Sequence, residues 1–314
     1  MKLRQALSYS HVNTAKANFD RIYLEEDPRE YYRVLGGVDY IIPDLAKGIF
    51  QNIISALEQE RRRPIRVLDL GCSYGINSAL IHFPLDIGRL IQRYLDLQGA
   101  GLTTSELIRL DRHYFLSWPR LDVEIVGCDA SKPAIDYARA VGLIDHGIGG
   151  NLENEPVSAA ARALLGGGID LIISTGSVGY VTERTFGKLL AAIGQPAPWV
   201  ASFVLRMFPY QRISELMQES GLVTEKLQGV TFVQRRFHSE SECVQVIENL
   251  EAQGIDTRNK EAEGLLHAEL FLSRPPGDCE RHPLDELVSV TSGASRPFGR
   301  RYRRGDDRVI RLVR

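Results

Sequence analysis

Cysteine is scarce in this chain, with four among 314 residues, at Cys72, Cys128, Cys243 and Cys279. They stand far apart and make no CxxC pair, which argues against a zinc site. Reduced thiols in a cytoplasmic protein are the expectation. Equally missing is any apolar run near the roughly 20 residues that a membrane-spanning helix requires. The opening Met1-Lys2-Leu3-Arg4-Gln5 is not followed by an apolar h-region, so no signal peptide is expected. Charge of one sign is lacking too. Lys and Arg number 38 against 40 Asp and Glu, for a formal net charge of −2. The chain as a whole therefore has no electrostatic bias toward nucleic acid or an anionic membrane. No internal repeat is visible.

What is present is a helical start followed by alternation. Asp27-Pro28-Arg29-Glu30 has a carboxylate N-cap, proline at N1 and glutamate at N3, a helix-start signal. A second helix begins near Pro43-Asp44, where Leu45, Ile49, Ile53 and Leu57 make one apolar stripe. From Ile65 onward, short apolar runs alternate with helical stretches. The runs are Ile65–Leu70, Val123–Cys128, a short strand near His146–Gly150, Ile169–Ser174, Trp199–Phe208, Gly229–Phe237 and His267–Ser273. Strands alternating with helices predict an α/β fold with a mostly parallel sheet covered on both faces. Pro275-Pro276-Gly277 ends the regular pattern.

The chemistry is concentrated at the first strand. Val67-Leu68-Asp69-Leu70-Gly71-Cys72-Ser73-Tyr74-Gly75 is a strand that runs into a glycine loop and then at once into a helix. Glycine permits a sharp turn and close approach of a ligand. The helix N-terminus presents free N–H groups. A dinucleotide fingerprint wants G-x-G-x-x-G, but this loop is G-x-x-x-G, with a carboxylate two residues before the first glycine. A nicotinamide oxidoreductase is thereby disfavoured. The second signal is Gly127-Cys128-Asp129-Ala130-Ser131, where a carboxylate ends a strand and can accept both hydroxyls of a ribose.

Together these residues resemble motifs I and II of the Rossmann-like (class I) S-adenosylmethionine (SAM)-dependent methyltransferases. Asp69, Gly71 and Gly75 match motif I, and Ser73 stands where the family has its middle glycine. The resemblance covers roughly residues 40–275. It implies a seven-stranded, mostly parallel sheet whose last strand is antiparallel, and SAM as the cofactor. Asp69 would face the methionine ammonium, and Cys72, Ser73, Tyr74 and Asn77 would complete the loop's contacts. Asp129 would hold the ribose, with Ala130 against adenine. Asn151 and Leu152 would reach the adenine edge, although a loop asparagine is as often only a turn former. Ser174, Thr175 and Gly176 align with motif IV, near the transferred methyl. That segment lacks the N/D-P-P-Y/F motif of amide and adenine methyltransferases. No cysteine is close enough for pyrimidine C5 chemistry, and no carboxylate sits at the far end of the strand to hold magnesium. Direct displacement without a metal is left.

Three domain-level expectations follow: an N-terminal helical cap over 1–60, a SAM-binding domain over 61–275 and a basic tail over 276–314. Within the domain, a helical insert at 84–121 should lie opposite the cofactor. It would pack on the domain or pair two copies of the chain as a homodimer. A second insert at 238–266 should form the lid or wall of the acceptor pocket. Candidate catalytic residues are His238 as a general base, Arg206 as a clamp for an anionic acceptor and Tyr210 as a pocket aromatic, with Tyr23, Tyr32 and Tyr180 as further aromatics. A surface histidine, a structural ion pair and ordinary packing are the plainer identities of those three candidates. A small-molecule acceptor is the expectation. The Arg-rich stretch Arg296–Arg314 raises RNA as an alternative, which the acidic balance of the chain disfavours. A SAM-binding protein without catalysis is the third reading.

Overall fold

The computed structural model describes residues 20–288, 301–304 and 310–313. Its main strands, in chain order, are Arg66–Leu70 (β1), Glu124–Asp129 (β2), His146–Gly149 (β3), Leu171–Thr175 (β4), Trp199–Leu205 (β5), Val223–Lys226 (β6), Phe232–Arg236 (β7) and Leu265–Arg274 (β8). They form one sheet of order β3-β2-β1-β4-β5-β8-β6, in which β7 also pairs with β8. Strands β1 to β5 pair in parallel, whereas β8 runs antiparallel to β5, β6 and β7. β6 covers Phe271–Arg274 of β8 and β7 covers Leu265–Ala268. These two strands are therefore one sheet position broken in the middle. The expected seven positions are present, and only β6 was not anticipated.

Alternation explains the layering. Val67, Leu171 and Ile173 enter one hydrophobic core, while Leu68, Leu70 and Ile172 enter the other. Successive side chains of a strand point to opposite faces, so a strand buried on both faces must be apolar throughout. The long helix Ile42–Arg61 lies in the first core, with Leu45, Ile49, Ile53 and Leu57 all buried. Each such side chain contributes about 1.5–3 kcal/mol through removal from water.

The helices that position the site are Arg29–Gly37 (α1), Ile42–Arg61 (α2), Ile76–His82 (α3), Ile87–Leu97 (α4), Thr104–Leu116 (α5) and Lys132–Ala140 (α6). α1 starts one residue later than the proline signal suggests. Asp27 caps no helix N–H beyond Arg29; it pairs with the Arg29 guanidinium instead (2.7 Å). The insert is a hairpin of α4 and α5, and α5 opens with the Thr103–Glu106 capping box. Its anchor is Asp111, which is wholly buried. That carboxylate accepts from the Tyr94 hydroxyl (2.6 Å), the Arg93 guanidinium (2.7 Å) and the Tyr137 hydroxyl of α6. α4 packs on α1, with Tyr94 stacked on Tyr32 at 4.4 Å.

All four cysteines are free thiols. Among the described residues no helix is long and apolar enough to cross a membrane. In the tail, Arg301–Arg304 and Ile310–Val313 pair as an antiparallel two-stranded ribbon. Arg296, Arg300, Arg308 and Arg314 lie outside the described residues, as do residues 1–19 of the helical cap.

Candidate active site

The carboxyl ends of β1, β2 and β4 open into a cavity of about 430 Å³, within the size range of small-molecule sites. β1 delivers the chain into the glycine loop. Gly71 (φ 76°) and Gly75 (φ 80°) take left-handed conformations, and so does Ser73 (φ 48°). A residue with a side chain pays about 1–3 kcal/mol for that backbone, so the middle position of the loop does call for glycine geometry. One compensation is visible: the Ser73 N–H donates to Asp129 Oδ2 (2.9 Å). The other carboxylate oxygen accepts from Ser131 N (2.8 Å). Burial pushes Asp129 above the usual carboxylate range, while the backbone donors of Ser131, Ser73 and Ala130 work against that shift.

Of the cofactor candidates, Gly71, Cys72, Ser73, Asn77, Asp129, Ala130, Asn151, Leu152, Thr175 and Gly176 line the cavity. Asp69, Tyr74, Gly75 and Ser174 stand one layer behind. Asp69, expected against the methionine ammonium, does not line the cavity. It is fully buried and accepts from Asn77 Nδ2 (3.1 Å) and Ser78 Oγ (3.2 Å). Asn77 in turn donates to Thr175 Oγ1 (3.0 Å). Asp69 thus fixes the Asn77–Thr175 pair on the wall. Burial outweighs those bonds and raises its pKa to about 7. The folded state then keeps a proton that the unfolded chain releases near 3.8. The stability from this group is complete below about 3.8 and is lost as pH climbs to about 7. Asp69→Asn should remove that loss. The stability of the wild type relative to the variant should fall over this window by up to about 1.4 kcal/mol per pH unit. Urea unfolding at several pH values checks this, and a pH-independent difference would sink it.

Tyr74 builds the roof from behind, its hydroxyl lying against the carbonyls of Ile22 (2.9 Å) and Glu25 (2.8 Å). Ser131 Oγ donates to the Tyr23 carbonyl. Tyr23 and Leu24 are thereby held over the cavity. Ser174 Oγ is spent on Ser177 Oγ (2.5 Å).

None of the three catalytic candidates lines the cavity. Arg206 bonds Glu261 (2.5 Å) and the Asp256 carbonyl (2.8 Å), an ion pair that ties a loop to the end of β5. Tyr210 is buried, stacked on Phe271 at 4.3 Å, with its hydroxyl toward Ser202 Oγ (3.3 Å). His238 is exposed, and its backbone N–H donates to Glu242 (2.8 Å) at the start of the helix Glu240–Ala252. The segment 238–266 sends no residue to the wall either. Topology put it on the right side of the sheet, but Val246 and Leu250 draw it into the second core. It touches the site through Glu242, which binds Arg235 with two bonds (2.6 and 2.9 Å). The insert at 84–121 likewise sends no residue to this cavity. Its α4 nevertheless supports α1, which supplies Tyr31 and Leu35 to the wall.

Several wall residues escaped the sequence reading. Tyr31, Tyr40, Glu153, Gln234 and Arg235 all line the cavity, alongside Ser177 and Tyr180 of the segment after β4 that the sequence had placed there. Burial pushes Tyr40 up to about 12, against hydrogen bonds with Thr175 and Tyr31. Glu153 feels a burial penalty, but bonds from Thr182 (2.6 Å) and Thr185 (2.8 Å) outweigh it and hold the carboxylate below its ordinary range. One signal was available for Gln234 and Arg235: adjacent polar residues inside an apolar strand interrupt alternation and mark a bulge.

No family model and no curated protein matches the chain. Among solved structures it is similar to the plantazolicin methyltransferase BpumL in complex with SAH. There the identity is 12%, 85% of this chain and 97% of that chain are covered, and the TM-score is 0.42. A TehB-like SAM-dependent methyltransferase from Corynebacterium glutamicum is 17% identical over 69% of this chain and 85% of that chain, at 0.31. A SAM-dependent methyltransferase from Geobacter sulfurreducens in complex with S-adenosyl-L-homocysteine is 13% identical over 71% and 90%, also at 0.31.

Proposed function

We propose that this chain is a SAM-dependent methyltransferase acting on a small-molecule acceptor by direct displacement, without a metal. One observation carries the proposal. Asp129 ends β2 on the cavity wall beside the glycine loop, and its carboxylate is fixed by two backbone N–H groups. A carboxylate so placed suits the two ribose hydroxyls of an adenosyl group.

The residues present fit that group. Ser73 Oγ is buried on the wall and has no hydrogen-bond partner among the described residues. Buried polar atoms are seldom left so unless a ligand or water completes them. Asp129 would hold the ribose, Asn151 and Leu152 the adenine, and Gly71, Cys72, Ser73 and Asn77 the methionine portion. When bound, SAM supplies a methyl already activated on a sulfonium. The protein's own work is alignment and exclusion of water. Tyr23, Leu24, Tyr31 and Tyr40 close the roof for that purpose. A cavity of about 430 Å³ supports a small acceptor, or the single reactive end of a larger one.

The purified chain, incubated with SAM and a metabolite extract, should form S-adenosylhomocysteine together with a product heavier by one CH2, in the presence of a chelator. Mass spectrometry reads both products. SAM binding with no methylated product from any extract would leave a binding protein and end the catalytic assignment.

A further inference from the structure

Gln234 is 3% exposed and lines the cavity. Among the described residues its side-chain amide makes no hydrogen bond, and Oε1 is buried outright. A buried amide in that state is costly unless something fills it. The backbone explains how it came to be there. β7 pairs Phe232 with Ala268 and Val233 with His267, and then Arg235 with Leu266, so Gln234 has no partner on β8. An extra residue of this kind re-aims side chains. In a regular strand Gln234 and Arg235 would point to opposite faces, yet both lie on the cavity wall.

The bulge is also clamped to the roof. Its Gln234 carbonyl accepts from Ile41 N (2.8 Å), and Arg236 N donates to the Val38 carbonyl (2.8 Å). The loop between those two residues carries Tyr40. On the other side the amide presses on the end of β4. A Cβ on Gly176 (φ 76°) would come within 2.3 Å of Gln234 Nε2. Gln234 therefore lies against the Thr175–Gly176 turn, on a strand that carries none of the residues assigned to ribose or adenine.

From this placement, and resting on the methyltransferase assignment above, we infer that Gln234 reads the methyl acceptor. The acceptor presents to it a neutral, planar group with a hydrogen-bond donor and acceptor side by side, as a carboxamide does. The amide offers one acceptor oxygen and two donor hydrogens, the complement of such an edge. Tyr23, Tyr31, Tyr40 and Tyr180 supply aromatic faces around the same space. An anionic group would share the cavity with Asp129 and Glu153, and the neutral Gln234 amide offers a cationic group no counter-charge for the water it loses. Arg235 cannot serve as the anion's partner, because Glu242 holds it in two bonds and the Arg236 carbonyl in a third (2.9 Å).

Three isosteric probes test this on the full chain loaded with S-adenosylhomocysteine: nicotinamide (neutral), nicotinate (anionic) and 3-picolylamine (cationic). Loading is measured first by calorimetry. A chain that does not bind S-adenosylhomocysteine overturns the methyltransferase assignment, and this inference with it. With loading established, nicotinamide should bind about tenfold more tightly than either charged probe, the worth of one or two hydrogen bonds. Gln234→Leu should abolish the preference while S-adenosylhomocysteine affinity stays within about threefold. Gln234→Met, closer in shape, repeats the test should the leucine variant fold poorly. Absence of binding by all three probes, a preference for a charged probe, or nicotinamide affinity that survives both substitutions would overturn the inference while leaving the methyltransferase assignment standing.

Discussion

Asp129→Ala is expected to weaken SAM binding by about 2–3 kcal/mol, roughly 30- to 160-fold, the scale of hydrogen bonds to a charged group. The carboxylate stands at the end of β2 with Ser73 N and Ser131 N on it. Those bonds preorganise it, so little rearrangement is needed when a diol arrives. The alanine variant also strips Ser73 N of its partner, and Ser73 is the residue held at positive φ. Part of the loss could therefore come from a relaxed loop rather than a missing ribose contact. Asp129→Asn separates the two effects. It keeps an acceptor oxygen for a backbone N–H but removes the charge, so it should keep most of the thermal stability and still bind SAM about tenfold more weakly. Calorimetry with both folded variants decides. Unchanged affinity would remove Asp129 from the site, and binding of NADH in place of SAM would remove the assignment altogether.

Arg235→Leu should cost about 3–5 kcal/mol of stability, because it leaves Glu242 buried without its counter-charge. Both side chains of the pair are 2% exposed. Glu242→Leu should cost a similar amount by stranding the guanidinium. Against a typical domain stability of about 5–15 kcal/mol, either single change could leave too little native protein to study. The double variant keeps the prediction testable: with both charges gone, stability should return to within about 1 kcal/mol of the parent or exceed it. Urea unfolding of the four proteins gives the coupling energy directly. A double variant as unstable as the sum of the singles would show that the two residues contribute separately, through packing. The pair matters to the site because it is the link by which the helix Glu240–Ala252 acts on the cavity without lining it.

The sheet and the part of the cavity wall at the ends of β1 and β2 were legible in one dimension. β1, the loop Gly71–Gly75, the Asp129 turn and the Asn151–Leu152 turn are contiguous segments whose backbone is set by local rules. A parallel strand must deliver its carboxylate or glycine to the carboxyl edge of the sheet, so order and period place those residues before any packing is known. Leu45, Ile49, Ile53 and Leu57 were likewise legible, because one helical stripe must be buried.

Tertiary structure decided the rest of the wall. Arg206, Tyr210 and His238 had the right chemistry and the right end of the sheet. Whether such a side chain meets a ligand or a partner depends on what packs against it, and Glu261, Ser202 and Phe271 lie far from them in sequence or have no sign of pairing in it. Asp69 illustrates the same limit: its position at the end of β1 was legible, but its turn inward to Asn77 and Ser78 was not. Gln234 and Arg235 reach the wall because one unpaired residue shifts the β7 register by half a period. Strand alternation, the rule that made the rest of the sheet readable, assigns them to opposite faces. Only pairing against β8 reveals that the rule is suspended there.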